Sequence, residues 1–411
     1  MSEKISFQCH SCGDKRGALV LDLGVQPLAN NLLCAKDLAK PEPKFPLRLA
    51  VCQSCWLLQI LDLVPPVQLF SEYLYFSSFS DLMLHHAREA AEKYISEFDL
   101  SAQSHVVEIA SNDGYLLQNF TRAKIPCLGI EPAANIAKVA REKGIETLVE
   151  FFSESLAKKL AAENRRADLI LGNNVFAHAP DTNDFVAGLK TLLQPQGRVI
   201  LEFPYAVDLI EHSEFDTIYH EHVFYFTLTA LQPLFARHHL EIFRIEQLPI
   251  HGGSLRLFAG HADAHAVEAS VAKLLADEKQ KGVGSRAYYE GFAARVLEIK
   301  KSLRELLAKL KSEGKKIAAY GASAKGSTLL NFFELGKETL DFVADRNTYK
   351  QGRLTPGAHI PIVPPETLTE KKPDFTLLLT WNFADEILAQ QRTYRDGGGK
   401  FIVPVPRVTI V

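Results

Sequence analysis

The stretch HVVEIASNDGYLLQNF, residues 105–120, decides the fold. His105–Ala110 is a compact apolar run around Val106 and Val107, which reads as a strand buried on both faces. Ser111-Asn112-Asp113-Gly114 breaks the run, and the leucines that follow open a helix. The same order recurs downstream. Cys127–Pro132 (CLGIEP) predicts a second strand, and AANIAKVAREKG a helix ended by Gly144. Ala167–Val175 and Arg198–Phe203 predict two more strands, with LLQPQG as the turn from helix to strand. Such alternation makes a doubly wound parallel sheet. Past a helix near Thr227–His238, Leu240–Leu248 and Ser254–His261 read as strands joined by PIHGG. So short a connection forces an antiparallel hairpin at the sheet edge. Upstream, residues 84–98 space Leu84, Ala87, Ala91, Tyr94 and Phe98 along one helical face.

Ligands of open α/β sheets bind at the carboxyl ends of the strands, against helix N-termini and exposed backbone N–H groups. Here the first such loop is Glu108-Ile109-Ala110-Ser111-Asn112-Asp113-Gly114, which is not a GxGxxG dinucleotide turn. Ala110, Asn112 and Gly114 leave the backbone open to a ligand. Glu108 and Asp113 disfavour a pyrophosphate and suit a cationic, amino-acid-like group. Glu131, followed by Pro132 at the end of the second strand, is placed to accept hydrogen bonds from a ribose diol. Asn173 and Asn174 bring amides to the same crevice. Together these residues describe an S-adenosylmethionine site.

The chain has 411 residues, enough for two or three domains, with ordinary globular composition at 47% hydrophobic and 23% charged. A formal net charge of -3 removes bulk electrostatics as a reason to expect nucleic acid or an anionic membrane. No apolar run approaches the ~20 residues that span a bilayer. The polar opening MSEKISFQCH predicts no secretory signal, so the expected compartment is the cytoplasm. Six cysteines occur, and Cys9/Cys12 with Cys52/Cys55 form two Cys-x-x-Cys pairs. Two such knuckles suit one tetrahedral zinc ion better than disulfides in a reducing compartment or a redox pair beside a βαβ unit. Four protein ligands leave no open position, so the zinc is expected to be structural. The Pro-rich segment between the knuckles predicts a small β-fold that depends on the metal.

Downstream of the strand ending at Phe203, Asp216-Thr217-Ile218-Tyr219-His220-Glu221-His222 packs polar groups against Val223-Phe224-Tyr225-Phe226. A lone histidine there would be a hydrogen-bonded structural group. Clustering at a sheet's carboxyl edge, with His178 of NNVFAHAPD on the same edge, points instead to acid–base work. Metal ligation lacks an HExxH spacing. Residues 266–313 predict two long charged helices. Lys316–Ala322, Asp341–Arg346, Phe375–Thr380 and Phe401–Val405 predict strands of a second α/β unit. Its turn Gly321-Ala322-Ser323-Ala324-Lys325-Gly326 enters a helix, where small residues and Lys325 suit a pyrophosphate; a ligand-free Rossmann-like remnant is the competing reading.

The CxxC head, EIASNDG, GIEP, NNVFAHAPD, DTIYHEHVFYF, HGGSLR and YGASAKGSTLLN, in that order over essentially the whole chain, resemble the nucleotide-sugar C-methyltransferases of deoxysugar biosynthesis. The likeness is to enzymes that methylate C-3′ of TDP-4-keto sugars. The resemblance implies a zinc-binding domain at 1–70, a class I S-adenosylmethionine methyltransferase domain at 71–262, and a Rossmann-like domain at 263–411 closing over the sugar nucleotide. It implies a nucleotide-linked 4-keto sugar as substrate, His222 as base, and Tyr219, His178 and Glu221 as residues steadying the enolate or the base. It also implies a tyrosine after the zinc head, either Tyr73 or Tyr75, and contacts to phosphate or sugar from Asn347, Lys350, Arg353 and His359. A monomer or homodimer with no nucleic-acid or membrane partner is expected. The rivals are an O- or N-methyltransferase of another small metabolite and, in a different class, a zinc-finger RNA-binding protein. The absence of a basic, aromatic-interleaved stripe opposes the latter.

Overall fold

The computed structural model describes residues 6–70 and 76–411, so Tyr73 and Tyr75 lie outside the described residues. The head holds β1 (Gly17–Pro27), β2 (Lys44–Cys52) and β3 (Leu58–Ile60), antiparallel in that order. The central unit then supplies β4 (Val106–Ile109), β5 (Cys127–Ile130), β6 (Thr147–Leu148), β7 (Ala167–Asn173) and β8 (Leu193–Pro204). After β9 (Phe224–Tyr225) come β10 (Leu240–Leu248) and β11 (Ser254–His261). The central sheet has the order β10-β11-β8-β7-β4-β5-β6. β4 to β8 run parallel, and the β10/β11 hairpin is antiparallel at the edge, as its short connection requires.

Two features depart from the sequence reading. LLQPQG is not wholly a turn: β8 already begins at Leu193, which pairs with Ala167 before an irregularity in register lets the strand resume at Arg198. β9, unforeseen, leaves the central unit and joins the head sheet, with Tyr225 opposite Leu58 and Phe224 opposite Gln59. The segment that carries Tyr219–His222 is thereby fastened to the head.

Helices Ala269–Lys281 and Phe292–Ser312 follow, separated by a one-turn helix at Arg286–Tyr289 that the sequence did not announce. The C-terminal sheet comprises β12 (Ile317–Tyr320), β13 (Val343–Ala344), β14 (Ile362–Val363), β15 (Phe375–Leu378), β16 (Lys400–Val403) and β17 (Thr409–Ile410). Its order is β14-β13-β12-β15-β16-β17, parallel except for β17. In both α/β sheets the strand order reverses beside the first strand, between β4 and β7 and between β12 and β15. Crevices open at such switch points. An apolar core runs without a break from the head through the central sheet into the C-terminal one. No helix among the described residues is long and apolar enough to cross a membrane.

Candidate active site

The two switch points open on one cavity of about 810 Å³. On the central side the loop after β4 lines it with Ala110 and Asn112, the end of β5 with Glu131 and Pro132, and the end of β7 with Asn173 and Asn174. Ala110, Asn112 and Asn174 all hold positive φ (54°, 51° and 54°), a conformation that costs about a kcal/mol or more at non-glycine residues and concentrates at ligand sites. The Glu131 carboxylate accepts the N–H of Asn112 at 3.0 Å and that of Ala133 at 2.9 Å. Burial nevertheless pushes its carboxyl above the usual range, against the pull of those two donors. An acidic strand end, two asparagine amides and a small-residue loop fit the adenosyl and amino-acid parts of S-adenosylmethionine.

Glu108, Asp113 and Gly114 do not line the cavity. Glu108 is fully buried, and burial first, then the charges of Glu131 and Asp113, raise its carboxyl far above the ordinary range. Asp113 is tied to Ser78 and to the Lys143 ammonium at 3.2 Å. Gly114, at φ +77°, is needed for packing: a Cβ there would lie 2.2 Å from Ile145 Cδ1. The expectation that these three face the ligand is corrected accordingly.

The loop Asp216–His222 lies across the cavity. Tyr219, His222, His178 and Thr217 line it. His222 Nδ1 is 3.1 Å from the Thr217 carbonyl, which can only accept, so Nδ1 carries the proton. Nε2 then accepts from the Tyr219 hydroxyl at 2.8 Å. The His178 ring lies edge-on to His222, 4.8 Å between centroids. Burial holds the His178 imidazole down at about 4, although backbone groups of Glu221 and Asn174 favour its charged form. Glu221 is buried beside the cavity rather than on it, with the Asn30 Nδ2 donating to both carboxylate oxygens at 2.8 Å. Asn30, from the head, does line the cavity, and no motif in the sequence announced it.

The C-terminal unit contributes Gly321, Ser323, Lys325 and Lys350, and also Arg346, a cation the sequence reading passed over although it ends the DFVADR strand. Lys325 stands over the Trp381 ring at 4.9 Å, and the Trp381 N–H donates to Asp216 at 2.7 Å. Lys350 donates to the Ala322 carbonyl at 2.8 Å. Asn347, Arg353 and His359 lie off the cavity. Asn347 Oδ1 accepts the Tyr349 N–H, Arg353 Nε donates to the Tyr349 carbonyl, and His359 Nε2 meets Glu42 of the head at 3.1 Å. Each is engaged in a local or inter-unit contact instead of the cavity wall.

Away from the cavity, the Sγ atoms of Cys9, Cys12, Cys52 and Cys55 lie within 4.8 Å of one another, with Cys9–Cys55 at 3.5 Å and Cys12–Cys52 at 3.6 Å. A tetrahedron with Zn–S arms of about 2.3 Å has edges of about 3.8 Å. Backbone N–H groups of Cys12 and Ser54 approach Cys9 and Cys52 Sγ at 3.5 and 3.4 Å, as in a thiolate knuckle. The head is a structural zinc site.

Known proteins share this plan. Residues 9–70 match a zinc binding domain, residues 83–244 a methyltransferase domain, and residues 249–406 a C-methyltransferase C-terminal domain. The chain is 37% identical over 405 residues to the C-methyltransferase NovU of Streptomyces niveus, covering 98% of this chain and 96% of that one. Among solved structures, magnesium protoporphyrin IX methyltransferase of Synechocystis PCC 6803 aligns with 44% of this chain and 79% of its own at 12% identity. Its TM-score of 0.34 is too low to add to the sheet order.

Proposed function

Since the chain belongs to the zinc-headed C-methyltransferases and is an S-adenosylmethionine-dependent enzyme, we propose that it methylates C3 of a nucleotide-linked 4-keto deoxysugar through an enolate. S-adenosylmethionine, when bound, supplies an electrophilic methyl group. Ala110, Asn112, Glu131, Pro132, Asn173 and Asn174 are the residues that would hold it. The 4-keto group acidifies the hydrogen on C3, and His222 Nε2 takes that proton. The observation that carries this reading is the tautomer: Thr217 fixes the proton on Nδ1, so the basic nitrogen is the one bonded to Tyr219 on the cavity wall. A neutral imidazole is the side chain suited to such a step near neutral pH. In the resting site the Tyr219 hydroxyl occupies the Nε2 lone pair, so it turns to the 4-keto oxygen as Nε2 takes the proton, and there it steadies the enolate. His178, kept neutral by burial, offers a hydrogen bond to the same oxygen without adding a competing charge. Lys325, Arg346 and Lys350 supply positive charge for a diphosphate, with the C-terminal domain closing over the nucleotide. Tyr73 and Tyr75 remain candidates for the tyrosine contributed after the head.

The test offers the enzyme a panel of nucleotide 4-keto sugars in heavy water without methyl donor, and follows C3 by NMR. Deuterium is expected to enter at C3, and His222→Asn to abolish exchange and lower kcat by about 10³-fold. Exchange retained in that variant would assign the base elsewhere. A product methyl on oxygen or nitrogen would remove the enolate altogether.

A further inference from the structure

Asn30 is not part of the loop that carries the chemistry. It lies 191 residues away from Glu221 in sequence, on the metal-held head, yet its amide is on the cavity wall and both Glu221 oxygens are within 2.8 Å of its Nδ2. Its backbone is fixed from both sides. β1 ends three residues earlier, and the turn that follows is closed by Asn31 N–H to the Leu28 carbonyl at 3.1 Å and Leu32 N–H to the Asn30 carbonyl at 2.9 Å. Leu33 then exchanges two backbone hydrogen bonds with Leu354 of the C-terminal unit, at 3.0 and 2.8 Å. Ala29 and Leu32 are buried on either side.

We propose that Asn30 is a positioning residue for the methyl transfer, acting through Glu221. A carboxylate that is 3% exposed is costly unless donors compensate its charge, and an amide does so without bringing a second charge. Glu221 is bonded in the chain to His222, so the rotamer of its carboxylate and the path of the backbone at His222 are set together. A carbonyl acceptor fixes one side of the imidazole, Tyr219 the other, and Asn30 anchors Glu221, the residue next to it in the chain. Aspartate at position 30 would set two carboxylates against each other, and alanine would leave the Glu221 charge short of a donor. The inference rests on the reading that the Tyr219–His222 segment performs the chemistry.

The experiment is a double-mutant cycle on the full-length, zinc-loaded enzyme with Asn30→Ala, Asn30→Asp, Glu221→Gln and the pair Asn30→Ala/Glu221→Gln. Zinc content is measured by elemental analysis and S-adenosylmethionine affinity by calorimetry, beside kcat, KM and C3–deuterium exchange. Asn30→Ala is expected to keep its zinc and donor affinity and to lower kcat and exchange together by about 30-fold, with KM within about threefold. Asn30→Asp should fall further. In the Glu221→Gln background the alanine change should add less than about threefold, since the buried charge that Asn30 compensates is gone. Wild-type kcat in Asn30→Ala overturns the proposal, as does a loss that tracks zinc content or that is fully additive with Glu221→Gln. A different result, full turnover in Glu221→Gln itself, would show that the parent reading of Glu221 had failed.

Discussion

At His222 the donor and acceptor inventory does most of the deciding. A backbone carbonyl on Nδ1 and a phenol on Nε2 leave one tautomer, whereas burial holds His178 next to it at about 4 against the pull of two backbone groups. His178 is therefore expected to stay neutral from about pH 5.5 to 9, so its ring signals in a ¹⁵N-edited NMR titration should not move across that range. A His178 midpoint near 6.5 would contradict this. Glu214 supplies the opposite sign. Burial, with Asp216 and Asp208 adding to it and Lys325 opposing, raises its carboxyl from 4.5 to about 8. The folded state then holds the proton more tightly than the unfolded one. Its contribution to stability is intact below about pH 4.5 and is lost as pH rises through about 8. Glu214→Gln should accordingly raise Tm relative to wild type at pH 9 and give little or no gain at pH 5. A uniform shift at both pH values would show that ionisation is not the cause. These environments were only half legible beforehand. The YHEH cluster was visible because polar groups in an apolar stretch stand out. Asn30 was not, because its meaning comes from a partner brought in by tertiary folding.

The element that matters most is also among the shortest. β9 has two residues, too few for any period, and its sequence merges into the apolar run Val223–Phe226. Strands β4, β5, β7, β10 and β11 could be read because burial on one or both faces writes a pattern several residues long. β9, β14 and β17 are defined only by the strand they pair with. The start of β8 was hidden for a related reason, since Pro195 and Gly197 signal a turn while Leu193 is already paired with Ala167. Phe224 is 1% exposed and meets the Phe226 and His10 rings at 6.0 and 5.8 Å. Phe224→Ala should cost about 3–5 kcal/mol, read from the denaturant midpoint at unchanged slope. Because β9 continues directly from His222, the variant should also lose kcat while binding S-adenosylmethionine normally. A cost below about 1 kcal/mol would mean the segment is held chiefly by its central-unit neighbours.

Across the whole molecule, the head touches both other units. It takes β9 into its sheet, bonds Asn30 to Glu221 and the Pro46 carbonyl to His220, and reaches the C-terminal unit through Leu33–Leu354 and through Glu42, which accepts from Gly357 N–H and pairs with His359. The four cysteines were legible as a metal site from spacing alone. What the spacing could not convey is that the sheet they hold has an edge completed by the strand leading out of His222. Small metal-held folds take much of their stability from the ion. Removing zinc should therefore release β3 and, with it, the registration of β9 and the placement of Asn30. The cavity wall at the ends of β4, β5 and β7, where the donor is proposed to bind, belongs to the central sheet and is expected to have no such dependence. Graded chelation is thus expected to reduce C3–deuterium exchange in proportion to the zinc lost, while S-adenosylmethionine affinity by calorimetry stays within about threefold until the protein unfolds. Full exchange in zinc-free, folded protein would make the head a mere attachment. Parallel loss of donor binding and exchange would instead make the ion a determinant of the entire fold, with no particular route from the cysteines to the imidazole.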